Sequence, residues 1–207
     1  MRVLVIGANG SVGKHTVEKL KESEHDPVAM VRKTEQVPYF EQKGIETVLA
    51  DLEKDFERAY HNVDAVIFAA GSGPHTGADK TVLIDQEGAI EAVDIAKRFG
   101  VKKFIMLSSI GADKPKEAEQ IKYYLYAKHR ADEHLKQSGL TYSILRPGIL
   151  TNDPGTGKVE LQDKLPEIGK IPREDVAALL VQLLTEHKAD NKIFEAIEGS
   201  TDISKVL

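Results

Sequence analysis

The sequence predicts an α/β protein built on a doubly wound parallel sheet, and two observations carry that prediction. Short apolar runs rich in β-formers alternate along the chain with longer segments of helical periodicity, which is the rhythm of βαβ crossovers. Several of these short runs are apolar at consecutive positions, as strands are when helices cover both faces of a sheet. At 207 residues the chain fits one such domain with a small C-terminal elaboration, roughly 149–207.

Each element follows from a local pattern. The apolar runs predict six strands in order: Val3–Ile6, Pro27–Val31, Ile45–Leu49, Ala65–Phe68, Lys103–Leu107 and Tyr142–Leu145. Periodicity together with glycine stops or a preceding proline predicts five helices: Ser11–Ser23, Thr34–Lys43, Lys80–Phe99, Ile121–Ser138 and Arg173–Glu186. Near the C-terminus, Lys192–Ile197 is expected to add one edge strand. The remaining long stretches are expected to be irregular: Gly71–Asp79, Gly111–Gln120 and Thr151–Gly169.

Composition narrows the classes of protein to consider. With 41% hydrophobic and 29% charged residues, the chain has the make-up of an ordinary soluble globular protein. No apolar run approaches the ~20 residues of a membrane span, and no secretory signal is present, so we expect a cytoplasmic protein. The absence of cysteine excludes disulfides, zinc–thiolate sites and thiol nucleophiles, and no residue spacing suggests a metal site. A net charge of −5 without a basic stripe disfavours nucleic acid as a partner. We therefore expect small-molecule partners and leave monomer and homodimer open.

A glycine run stands directly after the first predicted strand. It has the spacing GxxGxxG and consists of Gly7, Ala8, Asn9, Gly10, Ser11, Val12 and Gly13. Glycines at such a strand-to-helix turn permit a tight bend, close approach of the backbone to a pyrophosphate, and close packing of the helix, whose first N–H groups face the anion. We therefore predict that Gly7 and residues 9–13 bind a dinucleotide phosphate. Ser11 has a second interpretation as a helix N-cap.

The end of the second predicted strand indicates which nicotinamide dinucleotide fits. In a Rossmann unit an acid there binds the ribose 2′-hydroxyl, whereas an arginine pairs with a 2′-phosphate. This chain places Arg32 and Lys33 there and no acid, which favours NADP(H) and leaves NAD(H) possible. The alternative is a solvated pair of surface cations.

Two further strand ends are predicted to border the same cofactor. Asp51, with Leu52 beside it, follows the third strand, where its carboxylate could reach the adenine amino group or cap a helix beginning near Glu53. After the fourth strand, small residues are expected where the cofactor passes close to the backbone, namely Ala69, Ala70 and Gly71.

Candidate catalytic residues come next along the chain. Ser108 and Ser109 end the fifth predicted strand, and Tyr124 precedes Lys128 by four residues on a predicted helix. Helical spacing gives Lys128 a position on the apolar face, and a lysine is rarely buried without a partner. Tyr123 and Tyr126 differ in helical phase and are expected to be packing residues. The sixth strand ends in Arg146, Pro147 and Gly148, with Arg146 interpreted either as an ion-pair residue or as a substrate ligand.

The glycine run, the LSS and LRPG strand ends, the YxxxK pair and the late segment 173–177 together resemble the short-chain dehydrogenase/reductase superfamily, in its atypical and extended branch of NmrA-like and epimerase/dehydratase-related proteins. The resemblance implies that Tyr124 is the acid/base and that Lys128 lowers the pKa of its phenol and binds the nicotinamide ribose. It further implies that Ser109, rather than Ser108, holds the substrate oxygen, and that Pro147 and Gly148 lie along the nicotinamide.

We therefore expect an NADP(H)-dependent oxidoreductase that acts on a small carbonyl, alcohol or similar electrophile by hydride transfer with tyrosine proton transfer. The alternatives are a nicotinamide-binding sensor of the NmrA-like type without turnover, and reduction of a flavin or tetrapyrrole. A further alternative is a nucleotide-sugar epimerase/dehydratase relative, although the segment from Leu145 to Leu207 is short for a sugar-nucleotide site, which favours ancestry over activity as the meaning of that relationship. His75 is a further substrate-contact candidate, with a solvated loop histidine as the alternative.

Overall fold

The computed structural model describes residues 1–73 and 76–207 and contains eleven strands in that part of the chain. They are β1 (Arg2–Ile6), β2 (Asp26–Val31), β3 (Glu46–Leu49), β4 (Ala65–Phe68), β5 (Lys103–Leu107), β6 (Tyr142–Pro147), β7 (Ile149–Thr151), β8 (Lys158–Gln162), β9 (Lys170–Pro172), β10 (Lys192–Glu198) and β11 (Thr201–Asp202). Nine of them form one sheet in the order β11-β8-β10-β6-β5-β4-β1-β2-β3, while β7 and β9 form a separate parallel pair. The predicted doubly wound sheet is confirmed, and it is parallel except where β8 pairs antiparallel with β10 and β11.

The helices between these strands are α1 (Ser11–Lys21), α2 (Val37–Glu41), α3 (Ala78–Lys80), α4 (Ala89–Arg98), α5 (Lys122–Gln137) and α6 (Arg173–Thr185). A π-helical segment, Thr81–Gly88, joins α3 to α4, so the single helix expected over Lys80–Phe99 is interrupted by a wider turn. The helix expected over Thr34–Lys43 is a 3₁₀ turn, Thr34–Gln36, followed by the short α2. Gly44, with φ of +64°, follows that helix in the left-handed region.

The strand order places a crevice between β1 and β4. From β1 the chain winds outward through β2 to β3, and from β4 it winds the other way through β5 and β6 to β10, with parallel pairing at each of these steps. The crossover helices therefore diverge at the carboxyl ends of β1 and β4. Such a switch point is where open α/β sheets bind their ligands.

Two apolar cores lie on opposite faces of the sheet. Strand β1 supplies both, because Val3 and Val5 point to one face while Leu4 and Ile6 point to the other. The first core continues into α1 and α6, and the second into α4 and α5. The four side chains of Val3–Ile6 are fully buried, which explains why β1 is apolar at every position after Arg2.

The C-terminal part differs from the prediction. Strand β10 is interior, not an edge strand, since it pairs with β6 on one side and with β8 on the other. The partner β8 lies in the stretch Thr151–Gly169, for which the sequence predicts irregular structure. Its pattern is short and alternating, with Val159 buried and its neighbours more exposed, which is typical of an antiparallel strand with one wet face. The glycines and prolines around it conceal that pattern in the sequence.

Candidate functional site

The glycine run forms a tight passage between β1, α1 and the end of β4. Gly7 has φ of +85°, and a Cβ on it would lie 2.5 Å from the backbone nitrogen of Ala70. A Cβ on Gly13 would lie 2.1 Å from the Gly7 carbonyl oxygen, so only glycine lets α1 pack this closely on the turn. Gly10 is the residue that precedes α1 as its N-cap, so the interpretation of Ser11 as the cap is wrong. Ser11 is instead the exposed first residue of the helix.

A groove of about 380 Å³ opens at the carboxyl ends of β1, β2 and β4, and we call it the first groove. Nine of the predicted cofactor residues line it: Gly7, Asn9, Gly10, Arg32, Asp51, Leu52, Ala69, Ala70 and Gly71. The others lie elsewhere: Ser11, Val12 and Gly13 are in α1, Lys33 is on the neighbouring surface, Lys128 is buried, and Pro147 and Gly148 border a different cavity. Lining residues that the sequence did not single out include Met30, Gln36, Ser72, Thr76, Lys80 and Ile84.

The cation pair after β2 is held by an amide side chain. The backbone N–H groups of Arg32 and Lys33 both donate to Oε1 of Gln36 at 3.0 Å. This fixes the loop while both cationic side chains remain exposed. A glutamine three residues beyond Lys33, in the first turn after a strand, is the sequence signal that could have identified this support.

Asp51 has two interpretations, a contact with the adenine amino group and a cap for a helix that begins near Glu53, and its position has features of both. Its carboxylate lines the first groove, and its Oδ1 accepts the N–H of Glu53 at 3.1 Å. The residues after it form a turn instead of the expected helix; the next helical turn spans Glu57–Tyr60.

These features fit a nicotinamide dinucleotide. The space beside Gly7 leaves no room for a side chain. Helix α1 begins at the first groove, and its first N–H groups have no hydrogen-bond acceptor within the helix, so they are available to an anion. Arg32 lines the same groove and supplies a positive charge.

Lys128 is buried, as its helical position predicts, and its partner is Asp85 of the π-helical segment. Nζ of Lys128 lies 3.2 Å from Oδ1 of Asp85 and donates to the Leu107 carbonyl oxygen at 3.3 Å. The second oxygen of Asp85 accepts the N–H of Ser72 at 2.9 Å. Asp85 is not predictable as this partner from local pattern, because a carboxylate in a helical segment is normally on the surface. The wide π turn is what carries it into the interior.

Tyr124 lies beside this ion pair, half-buried, with its ring centre 5.6 Å from Nζ of Lys128. Burial raises the pKa of the Tyr124 phenol, Lys128 opposes this rise, and Asp85 and Asp132 add to it. Burial is the largest cause and outweighs the charge of Lys128, so the pKa of the phenol lies above its ordinary value in this structure, and the expectation that it falls toward neutrality is not met. The phenol remains protonated at neutral pH. Burial lowers the pKa of Lys128 itself, but Tyr124 and Asp85 outweigh burial and raise it.

The two serines have separate surroundings. Ser108 is buried and donates to Asp132 at 2.9 Å, and Arg146 donates to the same carboxylate from Nε at 3.0 Å and from a terminal nitrogen at 2.8 Å. Arg146 is thus an internal ion-pair residue, which is one of its two interpretations. Ser109 is half-buried and borders a cavity.

That cavity, the second cavity, has a volume of about 690 Å³. Its walls come from the loop after β5, the start of α5, the β6–β7 junction and the segment before β9, and they include Ser109, Leu125, Pro147, Gly148 and Leu165. Gly148 has a packing role there, because a Cβ on it would lie 2.2 Å from the Gly169 carbonyl oxygen. Pro147 and Gly148 therefore border the second cavity and not the first groove.

Two other expectations concern side chains around the site, and a third concerns membrane spans. Tyr123 and Tyr126 are exposed at 53% and 37%, so their interpretation as packing residues is wrong. His75 lies outside the described residues. Among the described residues, no helix is long and apolar enough to cross a membrane.

Comparison with known proteins agrees with the fold and the first groove. The sequence profile of the NAD(P)H-binding family matches residues 7–187. The chain is 44% identical to the uncharacterized sugar epimerase YhfK of Bacillus subtilis, over 100% of this chain and 99% of that one. It is 48% identical to a putative NAD-dependent epimerase/dehydratase from Bacillus halodurans, with a TM-score of 0.97, covering 100% of this chain and 98% of the other.

A third comparison is with a reductase. ChuY, an anaerobillin reductase from Escherichia coli O157:H7, is 25% identical with a TM-score of 0.81, covering 96% of this chain and 97% of that one. The profile match spans most of the chain, and the glycine run, the YxxxK pair and the strand ends lie within it. The chain therefore belongs to the NAD(P)H-binding family, in the atypical branch of the short-chain dehydrogenase/reductase superfamily.

Proposed function

We propose that this protein is an NADPH-dependent reductase of a small carbonyl compound or similar electrophile, in which Tyr124 gives a proton to the substrate oxygen. The observation that carries the proposal is the buried pair of Asp85 and Lys128, whose hydrogen bonds reach a residue that lines the first groove and the strand that leads to the second cavity. Asp85 is bound to Ser72 in the first groove, and Lys128 is bound to Leu107, two residues before Ser109 in the second cavity. A protein that only sensed a dinucleotide would not need this connection.

The first groove supports NADPH as the dinucleotide. Its glycine turn and the start of α1 suit the pyrophosphate, and Arg32 suits a ribose 2′-phosphate. Because Gln36 already fixes the backbone of Arg32 and Lys33, little further ordering of that loop is needed when the phosphate arrives. When bound, the reduced nicotinamide supplies a hydride for the carbonyl carbon.

The chain's own residues supply the proton and the orientation. The Tyr124 phenol, kept protonated by burial and by Asp85, donates its proton to the oxygen that becomes the alcohol, and the resulting phenolate regains a proton from water. Ser109 holds the same oxygen by a hydrogen bond. Asp85 acts as a positioning residue, since it holds the Lys128 ammonium beside the phenol. A phenol that stays protonated favours reduction over alcohol oxidation.

The names of the relatives include both reductases and an epimerase. The second cavity favours reduction, because it is mainly apolar and each of the lysines that line it has a carboxylate within ion-pair distance. A sugar diphosphate would find no uncommitted lysine there.

The proposal is tested by following NADPH oxidation with a panel of aromatic aldehydes and quinones, with NADH in parallel. We expect oxidation of NADPH with at least one apolar member of the panel, and a large loss of rate in Tyr124→Phe. If NADPH binds but no member of a broad panel is reduced, the protein is a sensor of the dinucleotide and the proposal is wrong.

A further inference from the structure

We infer that the second cavity takes a substrate with an apolar, ring-containing body and no negative charge, and that Asp113 and Glu195 exclude anions by neutralising Lys164. This inference rests on the proposed function, since it names the substrate class of the same site. At about 690 Å³ the cavity falls within the ~300–1,000 Å³ range of pockets that bind drug-sized ligands.

Exposed apolar side chains surround the cavity. Ile121, Ile149 and Ile168 are 54%, 58% and 64% exposed and come from three separate segments, namely the start of α5, strand β7 and the loop before β9. Leu125 and Leu165 continue the apolar wall inward and are buried. A cluster of large apolar groups left in contact with water around a concave site is typical of a surface that binds an apolar ligand.

Ile121 is held in this cluster against a backbone preference. Its φ of +48° and ψ of +21° place a β-branched residue in the left-handed region, immediately before α5. This conformation is costly for isoleucine and easy for glycine. Strained residues of this kind concentrate at ligand sites, where the side chain is needed despite the strain. The packing of the protein does not require this isoleucine, since more than half of its surface is exposed.

The charges around the cavity disfavour an anion. Nζ of Lys164 lies 2.9 Å from Asp113 and 2.8 Å from Glu195, and Lys114 lies 3.6 Å from Glu117. With Glu167 included, the lining has four carboxylates and two lysines. A ligand carboxylate or phosphate would therefore meet a net negative field and lose its water without gaining a partner.

The first groove differs in charge, because its lining has two cations, Arg32 and Lys80, against one carboxylate, Asp51. Arg32 lines this groove and its side chain is exposed. Within residues 1–73 and 76–207, which the structure describes, Arg32 forms no ion pair. The two cavities therefore divide the ligands by charge, with the anionic dinucleotide in the first groove and an apolar molecule in the second cavity.

The test compares naphthaldehyde with formylnaphthoate, which has the same rings and aldehyde plus one carboxylate. Calorimetric titration of the protein saturated with NADP⁺ measures binding without turnover. We expect naphthaldehyde to bind about tenfold or more tightly than formylnaphthoate. Glu195→Gln removes one of the two carboxylates on Lys164 and should narrow that ratio. Equal or tighter binding of formylnaphthoate to the wild-type protein, or no binding of naphthaldehyde, overturns the inference.

Substitutions around the second cavity test whether naphthaldehyde binds there. Ile168→Glu should weaken naphthaldehyde binding about tenfold, whereas Val82→Glu, a matched exposed position that does not line the cavity, should leave it unchanged. Ile121→Gly should also weaken binding while raising the melting temperature by about 2 °C, since glycine removes the backbone strain. Equal binding by Ile168→Glu and Val82→Glu contradicts the assignment.

Failure of the proposed reductase function can be distinguished from failure of the inference about the apolar cavity. Selective binding of naphthaldehyde without NADPH oxidation by any aldehyde or quinone would reject the reductase and retain the apolar site. NADPH oxidation at equal efficiency with both naphthalene compounds would retain the reductase and reject the inference.

Discussion

Asp85 and Lys128 form an ion pair, with 3.2 Å between Oδ1 and Nζ, in which both side chains are buried. They come from different elements, the π-helical segment before α4 and the middle of α5. The pair therefore ties the helix layer over the second core to the end of β5, where Lys128 also binds the Leu107 carbonyl. Both charges are buried away from water, so removal of either side chain leaves the other as an uncompensated buried charge.

Loss of one partner should destabilise the fold more than loss of both. Lys128→Met leaves the Asp85 carboxylate buried and uncompensated, and we expect it to lower the free energy of unfolding by about 3–5 kcal/mol. The double variant Asp85→Asn/Lys128→Met should recover part of this loss. Urea unfolding of the wild type and the three variants measures the coupling. Additive effects of the two substitutions would show that the pair is not an energetic unit.

The ionisation of Tyr124 should respond to Asp85. Because the carboxylate helps to raise the pKa of the phenol, Asp85→Asn should lower that pKa while Lys128 remains charged. In the wild type the reductive rate should stay level through neutral pH and fall only above the ordinary tyrosine pKa of about 10, as the phenol loses its proton. In Asp85→Asn this decline should begin at lower pH.

The difference in tyrosinate absorbance between each protein and its Tyr124→Phe form measures the ionisation without any turnover. If the pKa of the Tyr124 phenol is the same in the wild type and in Asp85→Asn, Asp85 does not act on Tyr124 and its role as a positioning residue is wrong.

Alanine substitutions at Gly10 and Gly13 should have different effects, one mainly on dinucleotide binding and the other mainly on the free energy of unfolding. Gly13→Ala places a methyl group against the Gly7 carbonyl, so we expect a loss of about 2 kcal/mol of unfolding free energy. A Cβ on Gly10 would lie 3.2 Å from that oxygen, a contact that a small shift relieves, but it would enter the first groove. Gly10→Ala should therefore keep most of the stability and weaken NADPH binding about tenfold. Undiminished NADPH binding by Gly10→Ala contradicts the placement of the pyrophosphate.

Arg32 should determine the preference for NADPH over NADH. Arg32→Ala should weaken NADPH binding by about 1.5–3 kcal/mol, the range for a hydrogen bond to a charged group, and leave NADH binding unchanged. Arg130→Ala, an exposed arginine of α5 that lines neither cavity, is the matched control. Calorimetry with both dinucleotides gives the comparison. An equal loss for NADPH and NADH in Arg32→Ala would show that Arg32 does not contact the 2′-phosphate.

Much of this architecture is predictable from local pattern. The consecutive apolar residues of β1 indicate a strand covered on both faces, and the spacing of Gly7 and Gly13 indicates the close packing found between β1, β4 and α1. The helical position of Lys128 predicts its burial. These features depend on periodicity and on backbone sterics, which are properties of a short segment.

What could not be predicted depends on long-range pairing. Asp85 is 43 residues from Lys128 in the chain, and only the wide π turn brings the carboxylate inward. Glu195 looks like an outward-facing residue of a strand, yet it is buried under Lys164 and the Leu165 N–H because β10 lies inside the sheet. Strand β8 was concealed by its surrounding glycines and prolines.

Transfer of deuterium from NADPH that carries deuterium at both positions of the reactive carbon, with naphthaldehyde as acceptor, tests the proposed reduction and the role of Tyr124 together. Wild-type protein should give naphthylmethanol with one deuterium on the carbinol carbon. Tyr124→Phe should slow its formation by about 10²–10⁴-fold, the contribution of a positioned general acid, with NADPH affinity retained. Absence of deuterium from the product, or an unchanged rate in Tyr124→Phe, would contradict hydride transfer with Tyr124 as the proton donor.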